Sequence, residues 1–151
     1  MNLEKLYLSD PLQRTLILSG DEARRRHQEE VSTLDIIAGM LLEGEGTGAV
    51  ALNQFEIDIN SFRRRTGLIF GEGKSPPNPQ IRYTHKAEKA LTAGREVADC
   101  LNHVATGTGH VLVAITRDER SDAVGVLQSL RVNLDNLRAM VLTILNDYPG
   151  R

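Results

Sequence analysis

Four histidines, one cysteine and two arginine triplets are the residues of this 151-residue chain whose chemistry could carry a site. His27, His85, His103 and His110 suggest a metal, since neutral imidazole is a common zinc ligand. No two of them stand at the i,i+4 spacing of a helical zinc motif, however, and Cys100 offers only one thiolate, so capping and surface roles are expected. Cys100 cannot form an internal disulfide and reads as a small buried or half-buried residue rather than a reactive thiol. Arg24-Arg25-Arg26 and Arg63-Arg64-Arg65 have the charge to hold an anion. Successive helical residues point about 100° apart, so the members of a triplet cannot converge on one ligand, and a solvated face is expected. No nucleophile, base and orienting group form a legible catalytic set. No Gly-x-x-x-x-Gly-Lys followed by Ser or Thr is present to cradle nucleotide phosphates. The chain is therefore expected to have no catalytic residues, no metal and no cofactor.

Composition narrows the partners. A net charge of −2, with 25% charged and 4% aromatic residues, gives neither a basic footprint nor stacking material for nucleic acid. No apolar run is long enough to span a membrane, and no basic-then-apolar leader opens the chain. The cytoplasm is the expected location. With 40% hydrophobic residues, one globular domain is the default.

Those residues must be positioned by a duplicated scaffold. Sliding the chain by 75 positions lays Leu8 to Thr66 over Tyr83 to Val141, and the apolar pattern of each copy falls on the other. Identity is low: Leu16 matches Leu91, Ala23 Ala98, Thr33 Thr108, Leu52 Leu127 and Arg63 Arg138. Burial is what the two copies share, as expected when a repeat keeps its fold and changes its surface. Between them, Gly71 to Gln80 holds three of the five prolines and no apolar residue, and reads as an exposed linker.

Each copy reads as four helices. Leu12, Leu16 and Ala23, like Ala87, Leu91, Ala98 and Leu101, recur at helical spacing behind the N-cap candidates Ser9 and Thr84. The runs Ile36 to Leu42 and Val111 to Ile115 follow as buried helices. Val111-Leu112-Val113 would also suit a buried strand, but helical spacing on either side favours helix. Ser32 with Asp35 approximates a capping box, and Thr33 and Thr108 read as caps that could also line a groove. Short third helices are expected over Ala49 to Phe55 and Ala123 to Leu130, and fourth helices from Asp58 and Asn133. Tyr83, opening the second copy, either anchors a peptide or closes the core.

The string from Gly39 through Glu43-Gly-Glu-Gly46 to Leu52 resembles the signature of the Clp N-terminal repeat. Asp21 to Arg25, Ile81 to Lys89 and Gly107-Thr-Gly-His110 resemble other pieces of it, and the likeness covers roughly residues 8 to 146. It is nearest to the N-domain of ClpC-type AAA+ unfoldases. The resemblance implies an all-α fold: two pseudo-symmetric four-helix repeats packed as one globular domain over residues 1–151. Repeat one would span about 8–68, a linker about 69–82 and repeat two about 83–146.

The resemblance also implies a non-catalytic module that recognises Clp adaptor or substrate proteins and delivers them to an AAA+ unfoldase, with a Clp ATPase or ClpP ring as further partners. The motor is then expected elsewhere. By the same resemblance, the peptide or adaptor site draws on Thr33, Leu34, Asp35, Tyr83, Thr108, Gly109 and His110. In ClpC-type N-domains a Glu at the positions of Leu34 and Gly109 serves phosphoarginine recognition. Neither residue here has a side chain that accepts a hydrogen bond, so that mode is not expected. Glu43-Gly-Glu-Gly46 becomes Asp118-Glu-Arg-Ser121 in the second copy, so the two halves should offer unlike surfaces. Two other roles fit the same features: a stand-alone accessory protein like ClpT, suggested by the Met1 start and short tail after Leu145, and a free N-domain that sequesters peptides or small molecules.

Overall fold

A computed structural model describes residues 1–74, 76 and 80–147. Among them the regular structure is helical: a single 3-10 turn, Leu3–Leu6, and then α1 (Asp10–Arg25), α2 (Thr33–Glu43), α3 (Thr47–Gln54), α4 (Ile59–Phe70), α5 (His85–Cys100), α6 (Thr108–Arg117), α7 (Asp122–Ser129) and α8 (Leu134–Asp147). The 3-10 turn was not expected from sequence. Every helix of the second set starts 75 residues after its counterpart in the first. The duplication therefore extends to backbone detail. His27 and Asn102, and likewise Glu56 and Arg131, share that offset and all four take left-handed φ values between 56° and 66°. The linker expected at Gly71 to Gln80 lies partly outside the described residues.

Local chemistry explains the boundaries. Ser9 Oγ accepts from Leu12 N at 3.2 Å and Thr84 Oγ1 from Ala87 N at 3.1 Å, satisfying amides that the first helical turn leaves unpaired. Ser32 and Asp35 form the expected reciprocal box on α2, and Asp58 with Ser61 does the same on α4. Asn133 Oδ1 accepts from Asn136 N at 3.0 Å at the head of α8. Thr33 and Thr108 are not caps. Ser32 and Gly107 hold the cap positions, which makes each threonine the first residue inside its helix. Val111 to Ile115 lie wholly within α6, so length and context override their β-branched bias.

Helices α2 and α6 are the axes of the fold. All of α6 from Thr108 to Thr116 is buried, as befits a helix enclosed on every side. Helix α1 packs on α2 and α5 on α6, but the shorter helices cross over. From the first repeat, α3 packs against α6 and α8; from the second, α7 packs against α2 and α4. One apolar cluster consequently runs through both repeats, from Leu12, Ile36 and Phe62 to Leu112, Leu127 and Leu145. Each such side chain contributes about 1.5–3 kcal/mol when fully buried.

Two backbone clasps complete the exchange. Leu8 pairs with Thr106 and Val31 with Tyr83, each as an isolated parallel bridge. Ser9 N donates to Thr106 O at 2.8 Å and Thr106 N to Tyr7 O at 2.8 Å; Thr84 N donates to Val31 O at 2.9 Å and Val31 N to Arg82 O at 2.7 Å. The four bonds form two sets related by the same 75-residue offset, so the lead-in to the first helix of each repeat is tied to the lead-in to the second helix of the other.

Candidate functional site

The expected site residues gather at the heads of α2 and α6, but most are enclosed. Leu34, Asp35, Thr108 and His110 are buried at 3% exposure or less. Gly109 is buried because α3 lies on it: an added Cβ would stand 2.7 Å from Thr47 Cγ2 and 3.2 Å from Leu145 Cδ2. A glutamate at that position would have to displace the Thr47 side chain. Thr108 Oγ1 accepts from Gly48 N at 2.9 Å and so docks the head of α3 onto α6. Tyr83 is half-buried beside Val31, and burial raises its phenol pKa above the usual value. Of the seven residues Thr33 reaches one open groove, and Tyr83 lines another with Met1, Leu3 and Arg82.

The two heads are built differently. In the first repeat Asp35, fully buried, accepts from Ser32 N and Ser32 Oγ and pairs with Arg26 at 3.1 Å. Burial pushes the Asp35 carboxyl above the usual carboxylate range despite Ser32 and Arg26. Next to it Glu22 is gripped by two arginines: Arg25 Nε and Nη2 donate at 3.1 and 2.9 Å, and Arg63 Nε and Nη2 at 3.1 and 2.8 Å. Burial acts to raise the Glu22 carboxyl, but the hydrogen bonds from Arg63 and Arg25, with their charges, prevail and hold it below the ordinary value. The triplets are therefore not wholly solvated. Arg26 is buried, and Arg25 and Arg63 converge on one carboxylate from two different helices, which the spacing within either triplet could not disclose.

In the second repeat this ionic wedge is absent, because Val97, Cys100 and Leu101 stand at the offset positions of Glu22, Arg25 and Arg26. His110 takes the place of Asp35. Its Nδ1 accepts from Gly107 N at 2.8 Å, and its Nε2 lies 2.9 Å from His103 Nδ1. Since Nδ1 must be free to accept, the neutral ring carries its proton on Nε2 and donates it to His103. Arg95 Nη1 and Nη2 hold the carbonyls of Val104 and His103 at 2.7 and 2.8 Å, which sets the loop so that the two rings meet. Burial first, and then the charges of His103 and Arg95, push the His110 pKa down to about 4. His110 is thus a buried cap rather than a surface residue. Among the described residues no group of three or more His, Cys, Asp or Glu side chains is arranged to hold a metal. Cys100 is exposed, contrary to expectation, because it sits on the outer face of the last turn of α5, away from Val97 and Ala98.

An open groove of about 430 Å3 lies between α5 and α6, with Thr33 and Ser121 also in its lining. Its floor is Ala90, Ala93, Ala114 and Ile115. The offset positions on α1 and α2 are Thr15, Leu18, Gly39 and Met40, and there the helices meet closely. A Cβ on Gly39 would lie 2.3 Å from Ser19 Oγ and 2.5 Å from Thr15 O. With alanine at 114 that approach is blocked. Helices α5 and α6 touch one turn earlier instead, where a Cβ on Gly94 would lie 2.8 Å from Val111 Cγ2. Replacement of Leu18 by the smaller Ala93, and of Met40 by the shorter Ile115, removes what would have reached into the gap.

The groove's rim carries Lys86, Lys89, Arg117 and Arg120 against one acid, Asp118. Sequence reasoning missed these residues. The signal was in the self-alignment, where Pro11, Leu42 and Glu45 become Lys86, Arg117 and Arg120. Shared apolar positions reported the fold; the differences between copies marked the groove.

Comparison with known proteins agrees with this architecture. A family model described as the Clp repeat (R) N-terminal domain matches residues 7–130 and 82–151. The chaperone protein ClpB of Oceanobacillus iheyensis is 33% identical over 133 residues, covering 88% of this chain; the chain spans only 16% of that relative's length. Among solved structures, the N-terminal domain of the chaperone ClpD from Arabidopsis thaliana superposes with a TM-score of 0.79 at 20% identity, covering 97% of each chain. A ClpV N-domain in complex with a VipB peptide gives 0.71 at 14% identity, covering 95% of this chain and 92% of that one. At these identities the structural likeness speaks to the fold.

Proposed function

The chain belongs to the Clp repeat N-terminal domain family, and from that premise we propose that it is a non-catalytic protein-recognition module, which holds adaptor or substrate proteins for a Clp-type ATPase and the ClpP protease ring in the cytoplasm. The observation that carries this reading is the groove between α5 and α6, an apolar trough on a rigid helical frame with a polar rim. Such a trough accepts a helix or an extended segment through a few aliphatic anchors, the usual way in which a groove between helices binds peptide. A structural relative was solved with a peptide, which supports the same use. No helix among the described residues is long and apolar enough to cross a membrane. Phosphoarginine reading in the ClpC manner is not proposed, since Leu34 and the crowded Gly109 occupy the positions where a carboxylate would be required.

The test is capture. Immobilised protein should retain a reduced, alkylated and therefore unfolded protein, or a Clp adaptor, and Ala93→Phe, which fills the groove floor, should weaken that retention while leaving the helical circular dichroism unchanged. Retention of neither probe by the unaltered chain would sink the proposal.

A further inference from the structure

The rim of the groove is more specific than its floor. Lys86 is already committed: its Nζ donates to Arg120 O at 3.0 Å and lies 3.9 Å from Asp118, buckling α5 to the loop between α6 and α7. That leaves the exposed side chains of Lys89, Arg117 and Arg120 around the trough, with no ion pair among the described residues. The only acid in the lining, Asp118, is the one partly neutralised by Lys86. A chain of net charge −2 has thus collected unpaired cations on both walls of this groove. The offset positions in the first repeat do not repeat this: Arg14 there is paired with Glu43 at 3.2 Å and Glu45 at 3.6 Å.

We propose that this groove selects an acidic peptide segment, in which one or two small aliphatic side chains rest on Ala90, Ala93, Ala114 and Ile115 while flanking carboxylates meet Lys89 on one wall and Arg117 and Arg120 on the other. The inference rests on the recognition reading above and adds the chemistry of the partner. The aliphatic floor decides between classes of polyanion. Nucleic acid binds such channels by stacking bases on aromatic rings, and the groove lining has none beyond His85 at its edge. Arginine is suited to the task because its planar fork takes a carboxylate through two hydrogen bonds.

Fluorescence anisotropy tests this, with the unaltered chain and short labelled peptides in which Ile and Leu are flanked by Glu, by Gln or by Lys. The Glu peptide should bind at least about tenfold more tightly than the Gln peptide, the Lys peptide least, and the preference should shrink as salt rises. The exposed pair Lys89→Glu with Arg117→Glu should erase or reverse the order, and Lys89→Gln with Arg117→Gln should flatten it. Equal affinity for the Glu and Gln peptides, or an order unmoved by either double variant, overturns the inference. So does a single-stranded oligonucleotide that binds as tightly and responds to the same variants. If the unfolded protein or a Clp adaptor is retained and the Glu peptide does not bind, the acidic preference fails and the recognition reading stands; if neither the unfolded protein nor an adaptor is retained, the recognition reading has failed and takes the inference with it.

Discussion

His110 links a helix cap to pH. Its ring must be neutral, with Nδ1 free to accept from Gly107 N, whereas the same residue in the unfolded chain titrates near its ordinary value of 6.5. A histidine whose pKa is lowered by folding contributes stability that is complete above the unfolded value and is lost as pH falls from 6.5 toward about 4. The full contribution is on the order of 3 kcal/mol. Asp35, raised, opposes the trend, and Glu22, lowered, adds to it. The midpoint of thermal unfolding should therefore drop between pH 7 and pH 5. It should drop less in His110→Asn, whose amide oxygen can still cap α6 but cannot titrate; an unchanged slope would remove His110 as the cause. Charge pairing at Asp35 gives a second expectation. Arg26→Leu leaves a fully buried carboxylate without its partner and should cost about 3–5 kcal/mol in urea unfolding. Adding Asp35→Asn, which keeps an acceptor for Ser32 N, should recover more than half of that. A loss below about 1 kcal/mol in the single variant would show that the pair contributes little.

Pairs of equivalent helices differ in how closely they approach. Gly39 sits where α1 presses on α2, so Gly39→Ala should cost roughly 2–3 kcal/mol through overpacking, even though alanine is the better helix former by about 1 kcal/mol. Gly125 is the control. It lies exposed within α7 with nothing within 4 Å of an added Cβ, so Gly125→Ala should stabilise by up to about 1 kcal/mol. Chemical denaturation of both variants checks the contrast, and equal shifts would mean that close packing at Gly39 is not limiting. The same difference in approach accounts for the groove between α5 and α6. One methyl group at Ala114 moves the point of closest contact by a turn, and the space appears at the other end.

As a whole, the molecule is an exchange of parts. Because α3 packs on α6 and α8 while α7 packs on α2 and α4, neither set of four helices encloses a core by itself. The backbone clasps at Leu8 with Thr106 and Val31 with Tyr83 tie the sets together again. Unfolding should accordingly be a single transition, with far-ultraviolet circular dichroism and tyrosine fluorescence tracing one curve. Segments 1–74 and 76–151 made separately should show little cooperative melting and regain helix when mixed. Two separable transitions in the intact chain would contradict this account of the core.

The sequence by itself determined the duplication, the all-helical class, the caps at Ser9, Ser32, Asp58 and Thr84, and the family likeness carried by Gly39 to Leu52. These depend on periodic burial and on hydrogen bonds between residues three apart, so short stretches of chain suffice to specify them. What the tertiary structure decided was every feature made by residues far apart. Arg25 and Arg63 meet on Glu22, His103 reaches His110, Cys100 turns outward, and Lys89 and Arg117 face one groove across two helices. Thr108 and His110, which looked available at the sequence level, are fully buried, with the head of α3 docked on Thr108 through Gly48 N. Periodicity tells which face of a helix is buried; which helix covers it, and how closely, depends on packing that includes both repeats.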